Sequence, residues 1–358
     1  MTGEILRNLE SDKPGTAILD ALTEIWQRLL QRPNVRPEDE FYRLGGTDAL
    51  ADKMFLEIAQ VFGRQLPAAT IFHAPTIAAL ASLLQQPSLP RFSSYVKLKV
   101  GTGNVPILIT HGLGGRASFS ELARHIRTEH SIYGIQAKGV DGLEPPLHSI
   151  EAMAAFYIKE LRQLQPEGAP ILIGYSFGGL VALEMAQRLT SEGKRVPLLA
   201  LVDTYPHPRY MPLGQRLSLM AKRINGHVSD LRRKPFGVAV SQVRSAIRQR
   251  LHMPEEQTPG PTVSDSFPLS IAHTTATVKQ SDLVAMKQYR PQFYPGKIRF
   301  VRPEASPYLP ANPTAVWKKL AAELVVETVP GDHLGMVAHH FESLADVLTR
   351  YVREASAE

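Results

Sequence analysis

The 358-residue sequence contains no cysteine. That excludes disulfides, thiolate metal sites and a cysteine nucleophile. It also lacks any apolar run approaching the roughly 20 residues of a membrane-spanning helix, so no membrane partner is expected. The start, Met1-Thr2-Gly3-Glu4-Ile5-Leu6-Arg7, is polar and mixed in charge, unlike a secretory signal. A cytoplasmic protein is expected. Acidic residues are scarce in one long stretch: between Tyr205 and Pro254 there are ten Lys/Arg and a single acid, Asp230. No aromatic-basic pattern of a nucleic-acid module accompanies this surplus, so no nucleic-acid partner is expected. Attraction of an acidic partner or of a phosphate, through residues such as Arg232 and Arg233, is the sharper reading of the basic run, and a solvated face the plainer one.

A hydrophobic content of 44% and a charged content of 21% fit a globular protein with a sizeable core. The length allows two domains. The net charge of +6 is unevenly spread: residues 1–90 carry 8 Lys/Arg against 11 Asp/Glu, and the remainder 32 against 23. An acidic unit joined to a basic one points to two parts with different partners.

The spacing of Ile18, Leu19, Leu22, Ile25, Trp26, Leu29 and Leu30 predicts a helix over Thr16 to Leu30. Ala49 to Phe62 predicts a second, Pro67 to Phe72 a short turn or helical segment, and Pro75 to Leu84 a last short helix. No strand pattern occurs, so a small four-helix domain is expected over 15–86. The Pro/Ser-rich stretch after Gln86 marks the boundary, with a linker over 87–100.

The passage from Asp39 to Leu84, with Leu44-Gly45-Gly46-Thr47-Asp48 at its centre, resembles the acyl or peptidyl carrier domains of polyketide and nonribosomal peptide synthetases. In that family a serine at the start of the second helix receives 4′-phosphopantetheine, where free N–H groups and the helix dipole suit a phosphodiester. Here the expected serine position is Asp48, so the resemblance implies no attachment site on this chain. Two alternatives follow: a degenerate carrier kept for docking, or a serine replaced in this sequence. An aspartate at a helix start is a good cap, so the fold is expected to survive. The arm is then expected on a donor carrier acting in trans.

Beyond the linker, apolar strand runs alternate with helical patterns, as in a mostly parallel sheet covered on both faces. The run Ala169-Pro170-Ile171-Leu172-Ile173 predicts a buried strand entering Gly174-Tyr175-Ser176-Phe177-Gly178, and Leu180 to Leu189 reads as a helix. Strand, Gly-x-Ser-x-Gly and helix together make a nucleophile elbow, which presents the serine hydroxyl on a sharp turn. Upstream, Pro106 to Thr110 predicts a strand ending in His111-Gly112-Leu113-Gly114-Gly115. α/β-Hydrolases keep half of their oxyanion hole at this place. The family pattern assigns the two backbone donors to Leu113 and Phe177.

Triad partners follow the serine in the order Asp/Glu, then His. Asp203 ends the apolar strand Pro197 to Val202, and His333 lies in the Pro330-Gly331-Asp332-His333 loop after a last strand over Val325 to Val329. Asp332, beside His333, is a poor partner, because neighbouring loop side chains seldom hydrogen-bond as a triad requires. His339 and His340 fall in the following helix, and His207 precedes the order.

Tyr133 to Leu189, together with Leu201-Val202-Asp203-Thr204-Tyr205-Pro206 and Val329 to Val337, is similar to the type I thioesterase domains that end such assembly lines. The resemblance implies an α/β-hydrolase over 101–358 with a helical lid at about 205–281. It implies a Ser176–His333–Asp203 triad that releases an acyl or peptidyl chain by hydrolysis or cyclisation. A carrier donor and upstream synthetase modules are the implied partners, with no metal and no cofactor bound by the thioesterase itself. A free-standing esterase on small esters and a non-catalytic docking module are the alternatives.

Overall fold

The computed structural model describes residues 14–87, 93–116, 119–164, 169–214, 217, 270–306 and 312–357. Most of the expected lid, including Arg232 and Arg233, and residues 88–92 of the expected linker lie outside the described residues.

In the N-terminal unit, α1 (Pro14–Leu30), α2 (Asp48–Phe62) and α3 (Ile77–Gln85) surround a short 3-10 turn (Ala68–Phe72). The three-and-four spacing of α1 buries Leu22, Ile25 and Trp26 against Ala51, Met54, Phe55 and Ile58 of α2. Trp26 meets Phe41 edge to face, with ring centroids 5.1 Å apart. The cap of α2 is Thr47, whose Oγ1 accepts from the Leu50 N–H at 3.3 Å. Asp48 is the first helical residue rather than the cap expected of it, so its carboxylate is available elsewhere. Likewise Thr76, not Pro75, precedes the last helix and caps it.

The second unit is built on seven strands: β1 (Tyr95–Lys99), β2 (Gly103–Thr110), β3 (His130–Ile135), β4 (Ile171–Tyr175), β5 (Leu199–Val202), β6 (Tyr294–Pro303) and β7 (Ala321–Val329). Their order in the sheet is β1-β3-β2-β4-β5-β6-β7. β1 runs antiparallel at the edge and every other pair is parallel. Interleaved helices are α4 (Ser120–His125), α5 (Ile150–Leu164), α6 (Phe177–Ser191), α7 (Ile271–Gln288), α8 (Thr314–Trp317), α9 (Gly335–Ala338) and α10 (Phe341–Ala357).

Both sheet faces are covered, which is why the central strands read as unbroken apolar runs. Ile107, Ile109, Ile171 and Ile173 pack with Leu122 of α4 and with Leu344 and Leu348 of α10. The alternate residues Leu108 and Leu172 pack with Tyr157 and Leu161 of α5 and with Leu180 and Val181 of α6 on the other face.

The two units touch. Asp48 pairs with Arg116, Arg43 with Glu121, and Glu40 with Arg124. Ile271, the first residue of α7, is buried in the apolar core of the N-terminal unit, and its N–H donates to Asp52 Oδ1 at 2.9 Å.

Candidate active site

The residues expected to act together all follow the C-terminal ends of parallel strands, where open α/β sheets gather their sites. His111 follows β2, Ser176 follows β4, Asp203 follows β5, and His333 lies four residues beyond β7. Register brings the strand ends side by side: Thr110 is paired with Gly174, and Tyr175 with Val202. The Ser176 N–H then donates to the Val202 carbonyl at 2.8 Å, one residue before Asp203.

Ser176 sits at φ 55° and ψ −121°. A positive φ is uncommon and costly for a residue with a Cβ, and persists only where the surroundings impose it. Two glycines allow those surroundings. A Cβ on Gly178 would lie 2.2 Å from the His111 carbonyl oxygen, and one on Gly179 would lie 1.9 Å from Thr204 Oγ1. The elbow helix can therefore press against the loops after β2 and β5 simultaneously. Thr110 Oγ1 ties this corner by donating to the Gly178 carbonyl at 2.7 Å.

Asp203 also has a positive φ, 44°, and its N–H donates to the Val301 carbonyl of β6 at 2.8 Å. Its side chain is fully buried, while that of His333 is 34% exposed. The two meet through His333 Nδ1 and Asp203 Oδ2, 2.7 Å apart. A carboxylate only accepts, so Nδ1 carries the proton and Nε2 is left as the basic nitrogen. Asp332 takes no part in this pair; its Oδ1 accepts from the Gly335 N–H at 2.7 Å and caps the turn into α9.

Sequence reasoning missed two supports of this arrangement. Tyr175, next to Ser176, stacks on the His333 ring with centroids 5.0 Å apart and an interplanar angle of 21°. Its hydroxyl donates to the His333 carbonyl at 2.7 Å. Burial, with Asp203 and Asp332 adding to it, raises the Tyr175 phenol far above its ordinary value, so it remains a donor. The second support is Asp282 on α7, fully buried, whose Oδ2 accepts from the Gly114 N–H at 3.0 Å. Burial raises its carboxyl, against the lowering influence of His111 and of the Gly114 N–H. Asp282 thereby props the loop that carries Leu113. No local pattern marks it, because its partner is 168 residues away.

Leu113 lies in that loop, 40% exposed, between the buried His111 and Gly114. His111 is packed beside Phe177, ring centroids 6.0 Å apart, and its Nε2 lies 3.1 Å from the Tyr157 hydroxyl. The loop after β2 and the start of α6 are thus held against each other, which brings the neighbourhoods of Leu113 and Phe177 together.

At the other candidate position, where the carrier resemblance leads one to expect a serine hydroxyl, Asp48 offers a carboxylate. Its Oδ2 accepts from Arg116 Nη1 at 2.7 Å and its Oδ1 from the Tyr42 hydroxyl at 2.9 Å. A carboxylate so engaged cannot form the phosphodiester of an attached arm, so the residues present do not fit covalent 4′-phosphopantetheine.

Residues 107–351 match the family model described as thioesterase domain, and residues 20–84 the model for a phosphopantetheine attachment site. The chain is 33% identical over 204 residues to a dimodular nonribosomal peptide synthase of Bacillus subtilis (strain 168), covering 56% of this chain and 8% of that protein. It is 34% identical over 191 residues to indigoidine synthase of Streptomyces lavendulae, covering 53% of this chain and 15% of the relative. It thus spans a small part of the length of these curated relatives. Among solved structures, a four-domain nonribosomal peptide synthetase bound to AMP and glycine aligns with TM-score 0.56 and 22% identity, over 91% of this chain and 25% of that one. That likeness shows the shared fold.

Proposed function

The chain belongs to the thioesterase-domain family, and we propose that it releases an acyl or peptidyl chain from a phosphopantetheine thioester in nonribosomal peptide or polyketide biosynthesis. Residues 101–358 are the catalytic unit in this reading, 15–86 the carrier-like unit and 87–100 their connection. Its partners in this reading are upstream synthetase modules, as the synthetases among its relatives suggest, and its place is the cytoplasm.

Ser176 is the nucleophile. His333 Nε2 takes its proton, and Oγ attacks the thioester carbonyl. Asp203 holds the imidazole in the tautomer that leaves Nε2 free and stabilises its charged form. The negative charge that develops on the carbonyl oxygen is met by the N–H groups of Leu113 and Phe177, dipoles already in place before the reaction. The C–S bond breaks, the departing thiolate takes the proton from His333, and the acyl group remains on Ser176. Water, or a nucleophile within the chain, then gives its proton to His333 and attacks the ester, freeing an acid or a ring. The donor carrier comes in trans, since Asp48 leaves no attachment serine here.

The observation that carries this reading is the 2.7 Å bond between His333 Nδ1 and Asp203 Oδ2, beside a serine on a strained elbow. A fluorophosphonate probe tests it. The native chain should be labelled and Ser176→Ala should not. Absence of labelling in the native chain would favour a docking module without catalysis. Labelling that persists in the variant would overturn the assignment of Ser176.

A further inference from the structure

We propose that Arg116 is the receptor for the phosphate of an incoming pantetheine arm, and that Asp48 of the docked N-terminal unit occupies it as an internal competitor. The proposal rests on the thioesterase reading above. The N-terminal unit, matched by the phosphopantetheine-attachment model over 20–84, is docked with its attachment position facing the catalytic unit. At that position a loaded carrier would hold a phosphodiester. Here it holds one carboxylate, carrying one negative charge, 2.7 Å from the Arg116 guanidinium. Arg116 follows Gly115 directly and stands three residues after Leu113, no more than about 10 Å along the chain. A charge fixed there lies at the margin of the acyl-transfer site.

The guanidinium has capacity for more than the carboxylate. Its Nε is buried and makes no hydrogen bond among the described residues. The group is a planar fork with five donors, suited to two oxygens of one phosphate. It is also held in place, over the Phe72 ring at 4.6 Å and the Tyr42 ring at 5.5 Å. The same docking engages α4 through Glu121 and Arg124, and the start of α7 through Ile271. α7 carries Asp282, which props the oxyanion loop. A donor carrier presenting its arm in the same orientation meets a surface already taken, and must displace the resident unit to reach Arg116.

The competition is tested by binding rather than by turnover. The probes are 4′-phosphopantetheine and pantetheine, identical except for the phosphate, titrated calorimetrically into the full chain. Asp48→Asn removes the competing charge and leaves the Thr47 cap. It should tighten 4′-phosphopantetheine roughly two- to fivefold, the size of a partly exposed ion pair expressed as occupancy of the competent state, and leave pantetheine unchanged. Arg116→Gln should reduce the phosphorylated probe to the affinity of the other. Combining Arg116→Gln with Asp48→Asn should give no recovery. Should Arg116→Gln lack a cooperative thermal transition, Arg116→Lys takes its place and must bind the phosphorylated probe more weakly than the native chain. The proposal is overturned if Asp48→Asn changes nothing, if it tightens both probes alike, or if its gain survives without Arg116. Failure of the thioesterase reading shows separately, as loss of fluorophosphonate labelling at Ser176.

Discussion

Tyr175 stacks on His333 at 5.0 Å between ring centroids and donates its hydroxyl to the carbonyl of the same residue. The residue next to Ser176 therefore fixes both the ring plane and the backbone of His333, from β4 to the loop after β7. Tyr175→Phe keeps the stacking and removes the bond. Its expected cost is about 1 kcal/mol of stability and roughly a tenfold loss in kcat, since a misplaced base costs rate more than binding. Thermal unfolding and steady-state kinetics measure both; an unchanged kcat would remove Tyr175 from any positioning role.

Asp203→Asn preserves the shape of a fully buried side chain while removing its charge. The amide can present a donor to Nδ1 and so favour the wrong tautomer. A fall in kcat of about 10⁴-fold is expected from the equivalent role in serine hydrolases. Thioester turnover of the variant against the native chain checks this, and a loss of less than tenfold would show that another group orients His333.

Asp282 connects stability to pH. Its carboxyl is raised above the unfolded value, so the folded state holds a proton that the unfolded state gives up. The associated stabilisation is complete below the unfolded pKa and is lost as pH rises through the folded one. Asp282→Asn cannot ionise, and its amide oxygen still accepts from Gly114. Its melting temperature should fall less than that of the native chain between acid and neutral pH. Parallel melting curves against pH for the two proteins would refute this.

Asp48→Ser supplies the hydroxyl that carrier domains use and frees Arg116. With a phosphopantetheinyl transferase and coenzyme A, the variant should gain the mass of one phosphopantetheine arm, while the native chain should not. Intact-mass spectrometry reads the result. An unmodified variant would mean that the docked face keeps the transferase out.

Much of this arrangement was legible because it is written in short-range patterns. Gly174 to Gly178 between a strand run and a helix run specifies a turn, since side chains larger than hydrogen collide there. The order of Ser176, Asp203 and His333, each after a strand, follows from the alternation that builds a parallel sheet. The cap of α2 was harder to read. Thr47 and Asp48 are both good capping residues, and only the backbone geometry decides between them.

By itself, the sequence determined the two units, the apolar strands that flank the elbow, the elbow helix and the candidate nucleophile, because hydrophobic period and turn chemistry act over a few residues. Tertiary structure alone decided that Tyr175 holds His333, that Asp282 props the Gly114 loop, and that Asp48 meets Arg116 across the units. Those contacts join positions 68 to 168 residues apart. They depend on the packing of whole helices and sheets, for which no window of sequence carries a pattern.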